Sequence, residues 1–347
     1  MNSYLIPNDP VSKFLKPHKI AYNLESVARS YTDVKGEAMA SIAITGATGL
    51  LGSNVANYYL AQGHSVYTLI KDENSKSNLS PDAERIYGNI ANASDMEYLI
   101  QKARPDYFFH LAAQTQAYDS LTYPYQTFFN NVVGTLNVLE ALRGYGKAKA
   151  IVVASSDKAY GELLTSEYLE DHPLQGIYPY DASKSCTDIV TRSYRETYNL
   201  PVVTTRACNI YGEGDFNSQR LIPGAVKNYK EGSKFVVRNS GLDVREYIHV
   251  RDMVTAYDAI IQHILTDNSQ HAFNISSGDR FTTLEVVNQI EKALGSQIEK
   301  EVLTNRTLEI VKQFMNSDLL ENLTNWQPTH SFENDLGPVV DWCLKNF

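Results

Sequence analysis

The sequence has few cysteines, no long apolar run and no excess of positive charge. Its three cysteines, Cys186, Cys208 and Cys343, form no CxxC pair, so neither a disulfide framework nor a zinc site is indicated, and a reducing compartment fits. No apolar stretch approaches the roughly 20 residues that span a bilayer, and polar Met1–Ser41 is unlike a secretory signal. The net charge of -9 excludes general affinity for nucleic acid or anionic membranes. We therefore expect a cytoplasmic protein without a bound metal.

Apolar segments alternate with amphipathic ones through the first two thirds of the chain. The pattern predicts strands at Ser41–Thr45, Ser65–Ile70, Tyr107–Leu111, Ala150–Ala154 and Val202–Thr205, and helices at Leu50–Gln62, Met96–Ala103, Asn131–Arg143 and Ser183–Tyr198. Such alternation is typical of an α/β fold with a doubly wound parallel sheet, the Rossmann arrangement.

The 347 residues suggest two domains, or one large domain with an annex. We expect residues 1–40 to be an extension, partly helical near Leu24–Tyr31. Residues 41–207 would form the dinucleotide-binding domain. The pattern turns irregular after Cys208, so residues 208–347 would form a smaller C-terminal α/β substrate-binding domain, from which a segment near 240–265 returns to the first domain.

A glycine-rich segment, Thr45-Gly46-Ala47-Thr48-Gly49-Leu50-Leu51-Gly52, joins the first predicted strand to the first predicted helix. Glycines permit a tight turn, a close approach of the backbone to a pyrophosphate and close helix packing, while the helix N-terminus offers free N–H groups. The segment predicts a dinucleotide site, and the alternative is a glycine-rich turn without a ligand. Its predicted cofactor contacts are Gly46, Thr48, Gly49, Leu50, Leu51 and Gly52.

The end of the second strand leaves the choice between NAD and NADP open. An acidic residue there normally binds the adenosine ribose, but this chain has Ile70, then Lys71 and Asp72. Asp72 would suit the ribose of NAD, whereas Lys71 would suit the 2′-phosphate of NADP. The lysine tilts the expectation towards NADP.

Tyr180 and Lys184 lie four residues apart at the start of a predicted helix, which brings them to one face. A nearby ammonium stabilises a phenolate, so Tyr180 is a candidate base near neutral pH. This spacing is common by chance, and its position after a dinucleotide loop and a buried strand makes it specific.

Seven motifs carry a resemblance to a known family over residues 41 to the C-terminus. The chain resembles an extended short-chain dehydrogenase/reductase of the NAD-dependent epimerase/dehydratase group, and most of all the CDP-glucose-like and GDP-mannose-like 4,6-dehydratases. The motifs are TGATGLLG at 45–52, HLAAQ at 110–114, NNVVGTLNVLEA at 130–141, SSDKAYG at 155–161, YPYDASK at 178–184, RACNIYG at 206–212 and REYIHVRD at 245–252.

The resemblance implies catalytic roles. Ser156 would bind the sugar O4, Tyr180 would remove its proton, and Lys184 would lower the pKa of Tyr180 and hold the cofactor ribose. Asp157 would be the acid for the 6-hydroxyl, and Lys158 stands where dTDP-glucose dehydratases have a glutamate base at C5. Alternatively, Asp157 and Lys158 form an ion pair that shapes the strand end.

The resemblance also implies ligand contacts. Further cofactor contacts would be Asn89, Ile90, Leu111, Ala112, Ala113, Gln114 and Asn131, with Tyr180 and Lys184. The substrate, a nucleotide-diphosphate hexose, would contact Gln114, Ser156, Asn209, Arg220 and Arg245, unless the arginines are merely solvent-exposed. A homodimer through a four-helix bundle, built from helices at 120–142 and 183–198, is expected.

The expected reaction is 4,6-dehydration, which oxidises C4, eliminates water across C5 and C6, and returns the hydride to C6. Asp157-Lys158 favours this reaction over 4-epimerisation, since epimerases of the family usually carry small or uncharged residues there. A non-catalytic redox sensor is a third hypothesis, disfavoured by the intact Ser156, Tyr180 and Lys184.

Overall fold

Seven parallel strands form the central sheet of the computed structural model, which describes residues 39–162, 167–303 and 310–347, apart from the Asn239 side chain. The predicted helix near residues 24–31 lies outside the described residues. The strands are β1 (Ser41–Thr45), β2 (Ser65–Ile70), β3 (Glu84–Tyr87), β4 (Tyr107–His110), β5 (Ala150–Ala154), β6 (Val202–Ala207), β7 (Asn209–Tyr211), β8 (Phe235–Val237), β9 (Val244–His249), β10 (Ala272–Ile275), β11 (Arg280–Thr282) and β12 (Lys300–Val302).

The sheet order β10-β6-β5-β4-β1-β2-β3 confirms the Rossmann-like α/β fold. All its pairings are parallel. Strand β5 is buried almost throughout, since helices cover both faces of a parallel sheet. The sheet order reverses beside β1, which places the ligand crevice at the carboxyl ends of β1 and β4.

The helices and the small sheets complete the fold. The helices are α1 (Leu50–Ala61), α2 (Ala93–Ala103), α3 (Ala117–Thr122), α4 (Pro124–Phe128), α5 (Gly134–Tyr145), α6 (Pro179–Tyr198), α7 (Leu221–Glu231), α8 (Val250–Thr266), α9 (Thr283–Leu294), α10 (Asp318–Thr324) and α11 (Phe332–Asn346). Strands β7, β9 and β11 form a three-stranded sheet, and β8 pairs with β12.

Predicted and observed elements agree closely where the periodicity is strong. The predicted strands at Ser41–Thr45, Ser65–Ile70 and Ala150–Ala154 have the observed bounds. The predicted helix at Asn131–Arg143 is wrong at its start, because Phe129–Val133 is a π-helix that leads into α5. Strand β3 was not predicted, because its sequence ERIY has one buried residue.

Helix α8 packs against α1 on the Rossmann sheet. The hydroxyls of Tyr58 and Tyr59 donate to Asp258 at 3.0 and 3.1 Å, and Tyr257 stacks on Phe109 of β4. Strand β10 extends the main sheet beside β6. The chain from residue 38 onwards is one compact unit, so the predicted division into domains at residue 208 stays a prediction.

An apolar core packs against β7 and β9 of the small three-stranded sheet. Helices α7, α9 and α11 enclose it, and it is built from Tyr211, Ile222, Val226, Val286, Ile290, Phe332, Val339 and Trp342. Within the described residues, no helix is long and apolar enough to cross a membrane.

A charged cluster where β9 meets α8 predicts a loss of stability in acid. Glu213 lies 3.4 Å from His249 Nε2 and 3.3 Å from Arg251 Nη2. Burial alone would raise the pKa of Glu213, but the His249 hydrogen bond and the Arg251 charge outweigh it and lower the pKa to about 2. Because this pKa is below the ordinary value of 4.5, the stabilisation is complete above pH 4.5 and is lost as the pH falls towards 2.

We expect Glu213→Gln to lower the free energy of unfolding by on the order of 2 kcal/mol near neutral pH, after allowance for partial exposure. Urea unfolding of both proteins across the acid range measures this gap. The two curves should converge as Glu213 of the wild type becomes protonated. A gap that stays constant down to about pH 2 would refute the electrostatic account.

Candidate functional site

The turn after β1 brings the backbone against the neighbouring strand end. Gly46 has φ +77°, and a Cβ there would lie 2.6 Å from Ala112 N. A Cβ on Gly52 would lie 2.2 Å from Gly46 O. No larger residue fits either position, so α1 begins at Leu50 with its N–H groups next to the crevice. This cradle fits the pyrophosphate of a dinucleotide.

A cavity of about 1150 Å³ extends from this cradle to the small sheets. It exceeds the roughly 300–1,000 Å³ of common ligand pockets, so it has room for a dinucleotide and a second ligand. The predicted site residues in its lining are Gly46, Thr48, Gly49, Leu50, Leu51, Gly52, Leu111, Ala113, Ser156, Asp157, Lys158, Tyr180, Lys184, Asn209, Arg220 and Arg245.

Several predicted cofactor contacts do not line this cavity. They are Lys71, Asp72, Asn89, Ile90, Ala112, Gln114 and Asn131. Lys71 and Asp72 are exposed, and Asp72 Oδ1 accepts from the Asn74 N–H at 3.0 Å. Ser75 and Lys76 line the cavity in their place, so the loop after β2 meets the cavity further along than the sequence predicted.

Asn131 acts on the site through other residues. Its side chain is buried in the π-helix. Its Oδ1 accepts from Gln114 N at 2.7 Å, and its Nδ2 donates to Gln114 O at 3.0 Å and to Ser183 Oγ at 2.9 Å. The amide therefore fastens the loop after β4 to α6, beside Tyr180 and Lys184.

Neighbouring backbone groups hold Asn89 and Ile90. Asn89 Oδ1 accepts from Ala91 N at 3.0 Å. Ile90 is buried, and its side chain fills the space that a Cβ on Gly134 would need. The Asn89 oxygen thus shapes the turn after β3, while Ile90 packs this turn against α5.

Helix α6 brings Tyr180 and Lys184 to the cavity wall. Both are buried, and Lys184 Nζ donates to Ala154 O at 2.8 Å. Burial lowers the pKa of Lys184 to about 8. Burial also raises the pKa of Tyr180 above its ordinary value, although hydrogen bonding with Ser156 opposes this. The expected lowering of the Tyr180 pKa by Lys184 is therefore not seen, because burial dominates and the ammonium is bonded to β5.

The chain turns sharply after β5 and places three polar side chains on the cavity wall. Ser156 caps a short 3-10 helix, Asp157–Tyr160, and its hydroxyl donates to Asp157 Oδ1 at 2.7 Å. Lys158 Nζ lies 3.4 Å from the same oxygen. Asp157 is 3% exposed and Lys158 20%, so the ion pair exists and also faces the cavity.

The predicted substrate contacts also line the cavity. Asn209 Nδ2 donates to Glu246 O at 3.2 Å. Arg220 pairs with Asp215 at 3.0 Å, and Arg245 donates to Ile310 O at 2.5 Å and to Val311 O at 3.2 Å. These arginines are part-buried and partnered, so the alternative that they are merely solvent-exposed is wrong.

A family comparison identifies the scaffold that carries this arrangement. The profile described as "NAD dependent epimerase/dehydratase family" matches residues 42–276. The chain belongs to this family. It is an enzyme scaffold with a nicotinamide-dependent chemistry, as the resemblance implied.

The family members that are similar to this chain include 4,6-dehydratases and 4-epimerases. A trifunctional UDP-glucose 4,6-dehydratase/3,5-epimerase/reductase of Arabidopsis thaliana is 27% identical over 88% of this chain, which spans about half of that protein (47%). The NAD complex of dTDP-glucose 4,6-dehydratase from Bacillus anthracis is 30% identical, with TM-score 0.78, covering 89% of this chain and 97% of the other. UDP-glucose 4-epimerase from Thermotoga maritima is 25% identical, with TM-score 0.80, covering 88% and 98%.

Arg238 and Gln313 are among the cavity residues that the sequence did not predict. Arg238, after β8, stacks on Tyr118 of α3 with 4.7 Å between the guanidinium carbon and the ring centroid. Gln313 is 2% exposed beside Lys158. Both line the cavity. No local pattern marks them, because each meets its partner across more than a hundred residues of sequence.

Proposed function

We propose that this protein is a nucleotide-diphosphate-sugar 4,6-dehydratase, which forms a 4-keto-6-deoxy sugar. The observation that carries the proposal is the pair Asp157 and Lys158 on the cavity wall, directly after Ser156. Inversion at C4 requires a base at O4, whereas loss of water across C5 and C6 also requires a proton acceptor at C5 and a donor at O6. The pair supplies two groups of the required kinds.

The residues divide the proton transfers between them. When bound, the nicotinamide supplies a hydride acceptor for C4 and a hydride donor for C6. Tyr180 removes the O4 proton, with Ser156 bonded to the same oxygen. In the reacting form the proton of the Asp157–Lys158 pair lies on Asp157, which leaves Lys158 neutral. The resulting ketone acidifies C5, so Lys158 takes the C5 proton while Asp157 protonates the departing 6-hydroxyl, which leaves as water. Lys158 then returns its proton to C5.

After each turnover a proton must return from Tyr180 to Asp157, and Ser156 lies between the two. Tyr180 ends the sequence with one extra proton, and Asp157 ends it with one fewer. The Ser156 hydroxyl donates to Asp157 at 2.7 Å and lies within hydrogen-bonding reach of Tyr180, which opposes the rise that burial causes in the pKa of Tyr180. A proton can therefore pass from Tyr180 through Ser156 to Asp157 and restore both groups.

We propose that Asn209, Arg220 and Arg245, which line the same cavity as Tyr180, hold the substrate diphosphate. The overall negative charge disfavours an anionic ligand, so local cations must attract it. Asp215 and backbone carbonyls fix Arg220 and Arg245 in place, which lowers the entropy lost on binding.

We propose NAD as the retained cofactor. Lys71 and Asp72, which suggested NADP and NAD respectively, are both exposed and outside the cavity lining. The support for NAD is that the matching family is NAD dependent and that the similar Bacillus anthracis structure is a complex with NAD. Mass spectrometry of small molecules released by denaturing the purified protein would test this. NAD is expected, and release of NADP would restore the original preference, with Lys76 as the cation to examine.

Product analysis in heavy water tests the reaction itself. The protein is incubated with CDP-, GDP-, UDP- and dTDP-hexoses, and the products are analysed by NMR. We expect one of them to give a 4-keto-6-deoxy sugar with deuterium at C5 and no net consumption of cofactor. Formation of C4-inverted sugar alone would refute the dehydratase assignment.

The second candidate is a nucleotide-sugar 4-epimerase. Its support is the fold shared with UDP-glucose 4-epimerase at TM-score 0.80, together with Ser156, Tyr180 and Lys184, which serve oxidation at C4 in either reaction. The heavy-water experiment separates the two candidates, because C4 inversion leaves the C5 hydrogen in place.

We also propose a homodimer in the cytoplasm, where the three free cysteines fit reducing conditions. Helices α4 and α6 and the π-helix expose apolar side chains, among them Tyr125 at 73%, Phe129 at 39% and Ile189 at 57%. Exposed apolar groups clustered on packed helices are typical of an interface.

Ile189→Arg is therefore expected to convert the dimer to a monomer, because it buries a charge at the proposed interface. Light scattering at micromolar concentration measures the change in mass. Leu265→Arg alters an exposed apolar residue on α8, away from the proposed interface, and should leave the dimer intact. A wild-type monomer would refute the assembly.

A further inference from the structure

Lys158 has a second partner besides Asp157, and this partner comes from a distant part of the chain. Gln313 Oε1 accepts a hydrogen bond from Lys158 Nζ at 3.3 Å. Gln313 is 2% exposed and lines the cavity. Its amide nitrogen is also buried, with no hydrogen-bond acceptor within the described residues. A buried donor without an acceptor destabilises a fold, so the retention of this amide here calls for an explanation.

The backbone around Gln313 is held firmly in position. Lys312 forms a β-bridge with Val244, and Met315 forms one with Tyr168. The Met315 N–H donates to Glu246 Oε2 at 2.7 Å. The same segment receives the Arg245 hydrogen bonds at its start. The side-chain amide is therefore presented to Lys158 by a well-anchored strand-like segment.

An amide suits a lysine that must change its charge during a reaction. The ammonium form has only donors, and the carbonyl oxygen of glutamine accepts one of them. The neutral amine has a lone pair, to which the amide nitrogen can donate after a half-turn of the terminal torsion. Because that nitrogen has no other acceptor among the described residues, the turn breaks no other hydrogen bond.

We propose that Gln313 is the positioning residue for Lys158 in proton transfer at C5, and that it holds both the protonated and the neutral lysine by turning its amide. This inference rests on the proposed dehydratase function. Gln313 acts through Lys158 and needs no contact with the sugar. A carboxylate in its place would favour only the charged lysine.

The other ionisable groups at this end of the cavity are accounted for. Asp157 contacts Lys158 within the 3-10 helix, and Tyr180 of α6 lies near Ser156. The Cys208 thiol lies within electrostatic reach of Asp157 and Glu246, and burial raises its pKa, which keeps it neutral. Glu246 pairs with Arg280 at 3.0 Å. The hydrogen-bond partner of Lys158 on the segment from 310 onwards is thus the uncharged Gln313.

Two variants test the assignment. Gln313→Met keeps the bulk and removes both polar atoms, and we expect the dehydration kcat to fall on the order of 10-fold to 100-fold, with KM nearly unchanged. C4 oxidation does not use Lys158, so reduced nicotinamide should accumulate during turnover. Gln313→Glu should be slower still near neutral pH and should recover activity as the pH rises, because the added charge favours the protonated lysine.

Gln62→Met is the matched control. Its amide nitrogen is also buried without a partner among the described residues, at the end of α1 outside the cavity lining. This variant should retain the wild-type kcat. If Gln313→Met instead raises KM, or slows cofactor reduction as much as it slows dehydration, the positioning role is wrong.

Deuterium exchange at C5 distinguishes a failure of the proposed function from a failure of the role assigned to Gln313. Wild-type protein that exchanges no C5 hydrogen with any nucleotide sugar would refute the proposed function, and this inference with it. Wild-type exchange matched by equal exchange in Gln313→Met would refute the inference alone. Gln313→Asn, which keeps the amide one methylene shorter, should recover part of the activity if the amide itself is required.

Discussion

Replacing Tyr180 with phenylalanine is expected to lower kcat by about two to four orders of magnitude, the usual contribution of a positioned acid–base group. The phenol is buried at the cavity wall beside Ser156, and no reaction begins until the O4 proton is removed. Every activity considered for this scaffold depends on that step, so both dehydration and epimerisation should fall together. Product formation under saturating substrate measures the effect.

Tyr178→Phe provides the matched control, since Tyr178 also lines the cavity but has no assigned proton transfer. Its kcat should stay near the wild-type value. Turnover that survives in Tyr180→Phe would place the base elsewhere. Absence of turnover in the wild type, with retained dinucleotide binding, would favour the sensor hypothesis.

Asp157→Asn is expected to separate oxidation from elimination. Asparagine cannot protonate the departing 6-hydroxyl, so 4-keto-6-deoxy product should fall by about 100-fold or more, within the range for acid–base groups. Oxidation at C4 uses Tyr180 and should continue. Stopped-flow absorbance should therefore show reduced nicotinamide that builds up and persists.

Asp243→Asn is the control for this second prediction, because Asp243 lines the same cavity near Arg245. It should leave both steps unchanged. If Asp157→Asn abolishes cofactor reduction as well, its contact with Ser156 supports the site's shape and the acid assignment is wrong. Unimpaired dehydration would also remove Asp157 from the acid role.

Most of the fold and the centre of the site could be predicted from local sequence patterns. Strand β5 is apolar along its whole length because helices cover both sheet faces, so its bounds are readable. The glycines after β1 are required by backbone approach, and that requirement acts within a few residues. Tyr180 and Lys184 share a helix turn, so their proximity also follows from spacing.

Features that depend on tertiary contacts could not be predicted from local sequence patterns. Strand β10 joins the sheet beside β6 through a pairing across about seventy residues. Gln313 meets Lys158 across 155 positions. Burial, which depends on the whole fold, raises the pKa of Tyr180 more than hydrogen bonding with Ser156 lowers it.

The π-helix at Phe129–Val133 limits how this chain can change in length. Each residue removed from a helix rotates the remainder of that helix by about 100° and shortens it by about 1.5 Å. Deleting one residue here would restore regular α-helical winding, but it would turn either the apolar face of α5 from the sheet or Asn131 from Gln114 and Ser183. The extra residue of the π-helix therefore allows α5 to pack on the sheet while Asn131 keeps its contacts in the site. We expect single deletions in this segment to be tolerated less well than substitutions.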